Sequence, residues 1–424
     1  MSNNVVIVGG GIAGLAASIV LARGGRSVTL FEKRRYLGGR AVTHLRHGYR
    51  FNLGPHAFYR GGEGSRVLAE LGIPVRGGVP KQRGIALYHD QRYRLPAGVF
   101  SLWFTGLLSG ADKFEASKLL WRIRRMKNPA PFASMSVRQW LDANVTRARV
   151  RETFEALLRL ATYCPDMQMM SAAAALKQLR LAMRGVIYVD EGWQKIVDAL
   201  HSSAVAAGVN FVTSSQVIRV NHDEAVNGIE IGGLEGDHDD DTESYVRARP
   251  GPAHGTRVPA DTVLLAVDPV TACNLAGQIE WPKMTPVLLS TLDVALSRLP
   301  QPSKTFAIGI DRPLYYSVHS RAAQLTPKGG ALLHVARYGG GDQAELETLL
   351  DEMQPGWRDI VVHCRFLPSM IVSNAIVPPA PAARPATRTP VRGLFVAGDW
   401  VGESGLLSDA ALASARDAAR AMLQ

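Results

Sequence analysis

The chain has 424 residues, 46% of them hydrophobic and 20% charged, with 48 Lys and Arg against 37 Asp and Glu. A length beyond that of a typical single core predicts two intimately packed domains of ordinary globular composition. The three cysteines, Cys164, Cys273 and Cys364, are too scattered for a disulfide framework or a metal-ligand set, which suits a reducing compartment.

The first apolar run ends in glycines after a few residues, unlike a secretion signal, and no run approaches the ~20 apolar residues of a membrane span. The expectation is a cytoplasmic protein with, at most, peripheral membrane contact. The basic excess raises nucleic acid as a partner. The arginines are scattered, however, with neither a recognition helix nor the aromatic motif of an RNA-binding sheet, and nucleic acid is set aside. Attraction of an anionic lipid or substrate fits the same charge.

In chain order, VVIVGG reads as a buried parallel strand, GIAGLAASIVLARGG as a helix stopped by Gly24 and Gly25, and SVTLFE as a second strand. Gly9, Gly11 and Gly14 make G-x-G-x-x-G within this βαβ unit. The first permits a tight turn, the second lets a pyrophosphate approach the backbone, and the third packs helix on strand. Unpaired N–H groups and the dipole at the helix start, around Ile12 and Ala13, favour that anion. Glu32, 18 residues past Gly14 and followed by Lys33, is placed to accept hydrogen bonds from a ribose diol. Its charge repels a 2′-phosphate, which argues against NADP.

Two further glycine stretches follow the same logic. Gly38, Gly39 and Arg40 give a flexible turn with a guanidinium that can reach a diphosphate, and FNLGPHAFY supplies Gly54, Pro55 and His56. Near the other terminus, GLFVAGDWVGESGLLSDAALASARDAARAM has a strand, Gly398 and Asp399, a glycine-bearing loop and a small-residue helix. On these motifs the chain resembles the flavin-dependent amine oxidase superfamily, which includes phytoene desaturase, protoporphyrinogen oxidase and squalene-associated desaturases.

The resemblance implies FAD as the cofactor, held without a covalent bond because no cysteine lies near Asp399. It places Gly39, Arg40, Gly54, Pro55 and His56 against the cofactor, Asp399 on its ribityl or phosphate part, and Val217 on the adenine through the backbone. A helix starting near Ser408, with Leu407 and Ala411, points its N-terminus at the flavin ring, where it stabilises the negative charge of the reduced form. The fold implied is α/β. A Rossmann-type FAD-binding domain (1–60, 190–280 and 390–424) is interleaved with a helical cap (61–189) and a mixed-sheet substrate region (281–389).

Within the cap, SVRQWL reads as a helix start with Ser136 as its cap. Gly192-Trp193 stands where the family often has two glycines. Hairpin-like strands fill 218–267, and the acidic run GDHDDDTE, 236–243, reads as a solvated loop rather than a metal site. ADTVLLAVDP, PLYYSVHS and ALLHVARYGGG read as strands, and 378–390 as a proline-rich connection.

The chemistry implied is hydride transfer from a substrate C–H to flavin N5. His56 and Tyr59 are the candidates for taking an accompanying proton, although a backbone or cofactor hydrogen-bonding role is the favoured reading of His56. Tyr315, Tyr316, His334 and Tyr338 are either pocket liners or strand packing. The patch around Trp103, with Lys118, Arg122, Arg124, Arg125 and Lys127, suits a membrane interface or an ordinary amphipathic helix. GESGLLSDAALASA lacks the H-P-G-G-G-x-P-G pattern of phytoene desaturases, and only Trp400 stands near the position of the amine oxidases' aromatic pair. Three readings stay open: desaturation of an apolar, isoprenoid-like or natural-product substrate; amine oxidation; and double-bond isomerisation or simple lipid carriage by a flavoprotein. The electron acceptor is not specified.

Overall fold

The computed structural model describes residues 4–81, 83–96, 99–232, 249–250, 255–277 and 279–424. The acidic run 236–243 lies outside the described residues.

The glycine-marked unit is β1 (Asn4–Val8), α1 (Ile12–Arg23) and β2 (Ser27–Phe31). A hairpin of β3 (Thr43–Arg46) and β4 (Tyr49–Asn52) follows, then β5 (Phe58–Tyr59), α2 (Glu63–Leu71) and β6 (Gly77–Gly78). Next come β7 (Ile85–Tyr88), β8 (Gln91–Arg94), α3 (Val99–Trp103), α4 (Gly110–Arg125), α5 (Val137–Asn144), α6 (Ala148–Thr162) and α7 (Ala172–Ala182). The chain continues through β9 (Val186–Val189), α8 (Gln194–Ala206), β10 (Asn210–Thr213), β11 (Gln216–His222) and β12 (Val226–Gly232). Then follow β13 (Arg249–Pro250), β14 (Thr256–Val258), β15 (Thr262–Leu265) and α9 (Pro269–Ala276). The last part holds β16 (Val287–Leu296), β17 (Phe306–Gly309), β18 (Leu314–Val318), β19 (Ala331–Tyr338), α10 (Gln343–Met353), β20 (Val361–Ser373), β21 (Leu394–Val396) and α11 (Leu407–Leu423).

β1 lies at the centre of an all-parallel sheet of order β13-β10-β2-β1-β15-β21. Strand order reverses at β1, so the crevice beyond its carboxyl end is the topological switch point where ligands of open α/β sheets bind. Chain from both termini meets there: the glycine loop after β1, and Gly398 and Asp399 after β21. α1 and α11 share one apolar cluster, in which Ala16, Ala17, Ala411, Ala415, Ala418 and Ala419 allow close approach of helix backbones.

A second sheet has the order β20-β16-β19-β18-β17-β7-β8, antiparallel except for the parallel pair β17 and β7. Side chains alternate between its faces. Leu292, Val294, Leu333 and Val335 pack beneath α10, while Leu289, Ala336, Tyr315 and Tyr338 join the core of α4 to α7. The β7–β8 hairpin, expected to be part of the helical cap, belongs to this sheet instead. Its turn is His89-Asp90, both at positive φ (45° and 59°) without the usual Asn-Gly, so the hairpin carries no strong turn signal.

Ser136 caps α5 as its sequence suggests, accepting from Gln139 N while the Gln139 side chain returns to Ser136 N. β11, β12 and β14 form a small antiparallel sheet that begins at Gln216, two residues before the 218–267 stretch.

Candidate cofactor and substrate site

The glycine loop separates structural from ligand-facing positions. Gly9 has φ +108°, and a Cβ there would lie 2.5 Å from Ala266 O; one at Gly14 would lie 2.0 Å from Gly9 O. These two glycines are required by packing. A Cβ at Gly11 would meet nothing within 4 Å, so the chain leaves open space beside the N-terminus of α1. That end has no side-chain cap and no acidic residue in its first turn. The site fits a diphosphate.

Glu32 sits at the carboxyl end of β2, half-buried, with Oε2 accepting from Gly10 N (2.7 Å) and Oε1 from Arg34 N (3.0 Å). Each oxygen keeps a lone pair for a ribose hydroxyl. Lys33 points to solvent. Val217 buries its side chain in the core, two residues after Ser215, whose N–H donates to the main-chain carbonyl of Glu32. The Gly38-Gly39-Arg40 turn lies on the glycine loop, with Gly38 N donating to Gly10 O.

Arg40 joins the two terminal segments. Its Nη2 lies 3.0 Å from Asp399 Oδ2, and Nη1 donates to Val372 O. Asp399 is buried and also accepts from Asn374 N (3.0 Å) and Asn374 Nδ2 (2.8 Å). Buried Arg384 donates to Asp399 O and Gly405 O, and desolvation lowers its pKa to about 10. α11 starts at Leu407, with Ser408 half-buried and Ala411 buried in the interior. Its first turn also carries Asp409, whose Oδ1 accepts from Gly64 N at the start of α2. Burial raises this carboxyl to about 6. Trp400 is fully buried, donates to Val267 O and stands edge-on to Trp281. It packs in the core with Val8, Val396 and Val401.

The 52–56 loop bridges the two sheets. Gly54, at φ +73°, donates to Asp293 Oδ2, and a Cβ there would lie 2.8 Å from Met370 Cε. Pro55 O accepts from the Tyr163 hydroxyl. His56 stands edge-on to Trp193 and places both ring nitrogens against carbonyls, Nδ1 on Gly54 O (3.2 Å) and Nε2 on Arg40 O (3.1 Å). Enclosure by the surrounding protein lowers its pKa to about 4. The buried Tyr59 hydroxyl donates to Ala161 O, and desolvation raises its pKa. Neutral His56 can donate to only one of these carbonyls and keeps one unprotonated ring nitrogen, whereas the Tyr59 hydroxyl is committed to Ala161 O. The Gly192-Trp193 departure has its own reason. Gly192 is at φ +84° against Thr43, and Trp193 N and Gln194 N donate to Asn52 Oδ1 and Thr43 Oγ1, which cap α8.

The buried face of the large sheet turned toward this loop carries a polar row of which the sequence reading named His334 alone. Arg365, Asp293, His334 and Ser317 are direct cross-strand partners on β20, β16, β19 and β18. Asp293 is fully buried, with Oδ2 2.6 Å from Arg365 Nη2 and Oδ1 2.6 Å from His334 Nδ1. Those two partners outweigh burial and hold its carboxyl well below the usual range. The acceptor-only carboxylate fixes the proton of His334 on Nδ1. His334 Nε2, His319 Nδ1 and the Tyr338 hydroxyl are buried without a protein partner. The Arg365 guanidinium also donates to Asn52 O, tying the loop to the row. A lone acid in the apolar run LLSTLDVAL was the available signal.

Tyrosines enclose this region: Tyr163 and Tyr338 (5.9 Å between rings), Tyr315 and Tyr338 (6.5 Å), and Tyr188 stacked on His319 (3.8 Å). Burial raises the pKa of each, so all stay neutral. Tyr315, Tyr338 and His334 thus share this face. Tyr316, the alternate residue, points the other way under α10 and accepts from Gln354 Nε2. Among the described residues, no group of His, Cys, Asp and Glu could hold a metal ion, and no helix is long and apolar enough to cross a membrane.

This geometry defines a dinucleotide-type α/β protein with a second sheet closing over the ligand crevice. The model of the flavin containing amine oxidoreductase family matches residues 12–284, and the chain belongs to that family. It is an oxidoreductase, and membership implies a flavin cofactor. An oxidoreductase from Methanosarcina mazei has the same fold, with a TM-score of 0.73 over 98% of this chain and 99% of that one at 17% identity. Putrescine oxidase bound to putrescine aligns with a TM-score of 0.68 over 99% of this chain and 98% of its own, at 15% identity. A stretch of 55 residues is 38% identical to 4,4'-diaponeurosporene oxygenase of Staphylococcus aureus, covering 13% of this chain and 11% of that protein.

Proposed function

We propose that the chain binds FAD non-covalently and dehydrogenates a neutral, apolar substrate of isoprenoid or natural-product type. Bound FAD would supply the two-electron acceptor for a hydride from a substrate C–H, and the proton lost from the adjacent carbon would pass to the unpartnered His334 Nε2. Gly11 and the start of α1 would receive the diphosphate, Glu32 the ribose, and the Arg40–Asp399 pair the segment leading to the ring. The start of α11 would face that ring. The tyrosine-lined face would exclude water and orient the substrate.

The observation that carries the substrate class is the state of Asp293. Its charge is matched by Arg365, and its oxygens are filled by Arg365 and Gly54 N on Oδ2 and by His334 and Thr291 Oγ1 on Oδ1, so it has nothing left for an ammonium group. A cationic amine among the tyrosines would be a buried, unpaired charge, which is costly. That favours dehydrogenation over amine oxidation. The short stretch shared with 4,4'-diaponeurosporene oxygenase supports the same direction.

The test is an anaerobic screen read by bleaching of the flavin absorbance. Apolar polyene precursors should bleach it and aliphatic diamines should not. Bleaching by diamines, with polyenes inert, would reverse the assignment.

A further inference from the structure

The helices on the outer side of the core bear a surface that the cofactor site does not use. Trp103, Phe104, Phe114 and Trp121 are 54%, 70%, 70% and 55% exposed. On α4 the exposure follows helical spacing. Phe114, Lys118, Trp121 and Arg125 form the outward stripe, while Ala116, Leu119 and Ile123 face the core. Four large aromatics gathered on one short segment exceed the scattered apolar exposure normal for a soluble surface.

The charge around them has one sign. Residues 103–127 contain Lys113, Lys118, Arg122, Arg124, Arg125 and Lys127 against two acids, Asp112 and Glu115. Both acids are occupied. Asp112 closes the cap of α4 and pairs with Arg147, and Glu115 accepts from Thr146 and from Arg147 N. Arg125 lies over the Trp121 ring (4.7 Å) and Arg94 over Phe104 (5.8 Å), so cations and aromatics are interleaved.

We propose that this face docks on an anionic lipid bilayer, with the aromatic rings entering the headgroup boundary and the cations on the phosphates. Tryptophan beside Lys and Arg is the side-chain chemistry of that interface. A second copy of the chain is disfavoured, because pairing this face with itself would oppose like charges. The inward face of α4 belongs to the same core cluster as Tyr163, Tyr315 and Tyr338. The docked face therefore lies on the outer side of the core that also holds the candidate substrate region, and an apolar substrate dissolved in the bilayer would enter from that side.

The experiment is co-sedimentation of the full-length flavoprotein with vesicles of phosphatidylcholine and phosphatidylglycerol, and with phosphatidylcholine alone. Binding should require the anionic lipid and weaken with salt. Arg124→Gln with Lys127→Gln should lower partitioning roughly fivefold per charge. Trp103→Ser with Phe104→Ser, and separately Phe114→Ser with Trp121→Ser, should lower it on the order of tenfold or more. All these side chains are exposed, so circular dichroism and the flavin spectrum should be unchanged; the spectrum reports the cofactor reading separately. Absence of binding to anionic vesicles, equal binding by the serine variants, or a solution dimer that Trp121→Ser dissociates would overturn the proposal.

Discussion

Asp293 is the buried charge on which the geometry of the 52–56 loop depends, and Asp293→Leu is the most direct perturbation of it. The substitution leaves Arg365 without its carboxylate and removes the acceptor for Gly54 N–H and His334 Nδ1. Breaking a buried ion pair from one side costs about 3–5 kcal/mol. Arg365 keeps 20% of its side-chain surface in solvent, so the lower end, about 3 kcal/mol, applies. Unfolding entropy of ~2.1 cal/mol/K per residue over 424 residues converts this to a Tm drop of about 3 °C. Arg365→Met should also lower Tm, and the double variant should lose less than the sum of the two, because the unpaired guanidinium is gone while Gly54 N–H and His334 Nδ1 still lack their acceptor. The assay is thermal unfolding of the three variants, with flavin content measured in each. Strictly additive losses, or an Asp293→Leu protein with unchanged Tm, would refute the reasoning that this row is a matched buried network.

The glycine loop predicts a separation of folding from binding. Gly14→Ala drives a Cβ to 2.0 Å from Gly9 O and should abolish soluble protein. Gly11→Val should fold with near-normal Tm yet lose most flavin, as measured by absorbance per chain, since its side chain occupies ligand space alone. Asp409 should make stability depend on pH with a defined sign. Its folded pKa of about 6 exceeds the unfolded 3.8, so the folded chain holds the proton more tightly, and stability present below about pH 4 is lost as pH rises to about 6. The span of about two pH units corresponds to at most ~3 kcal/mol. Tm of the native chain relative to Asp409→Asn should fall across that window and level off above it. Gly192→Ala, which forces a Cβ to 2.4 Å from Thr43 Cγ2 at positive φ, should lower Tm by several degrees through loss of the α8 cap.

How much of this was legible depends on whether the signal was local. The βαβ unit was legible because glycine spacing, strand burial and Glu32 all lie within one short stretch. The capping box at Ser136 was legible for the same reason. The start of α11 at Leu407 agrees with the reading of a helix beginning near Ser408, legible from the strand, glycine loop and alanine-rich run in sequence. The β7–β8 hairpin was hidden by a His-Asp turn and by QRYR, an edge strand with no apolar alternation. Tyr316 could have been separated from Tyr315 by strand alternation alone. The Arg365–Asp293–His334–Ser317 row could not have been assembled, since it exists only through the register of β20, β16, β19 and β18. Asp409 escaped notice because its partner, Gly64, is 345 residues away.

The central claim is that both ends of the chain close around one FAD molecule. Its most direct measurement is identification and quantification of the cofactor released by denaturing the purified, reconstituted protein. The account predicts free FAD approaching one per chain, with Glu32→Arg and Asp399→Ala each markedly depleted. A colourless protein that added FAD cannot restore, or full occupancy in both variants, would contradict it.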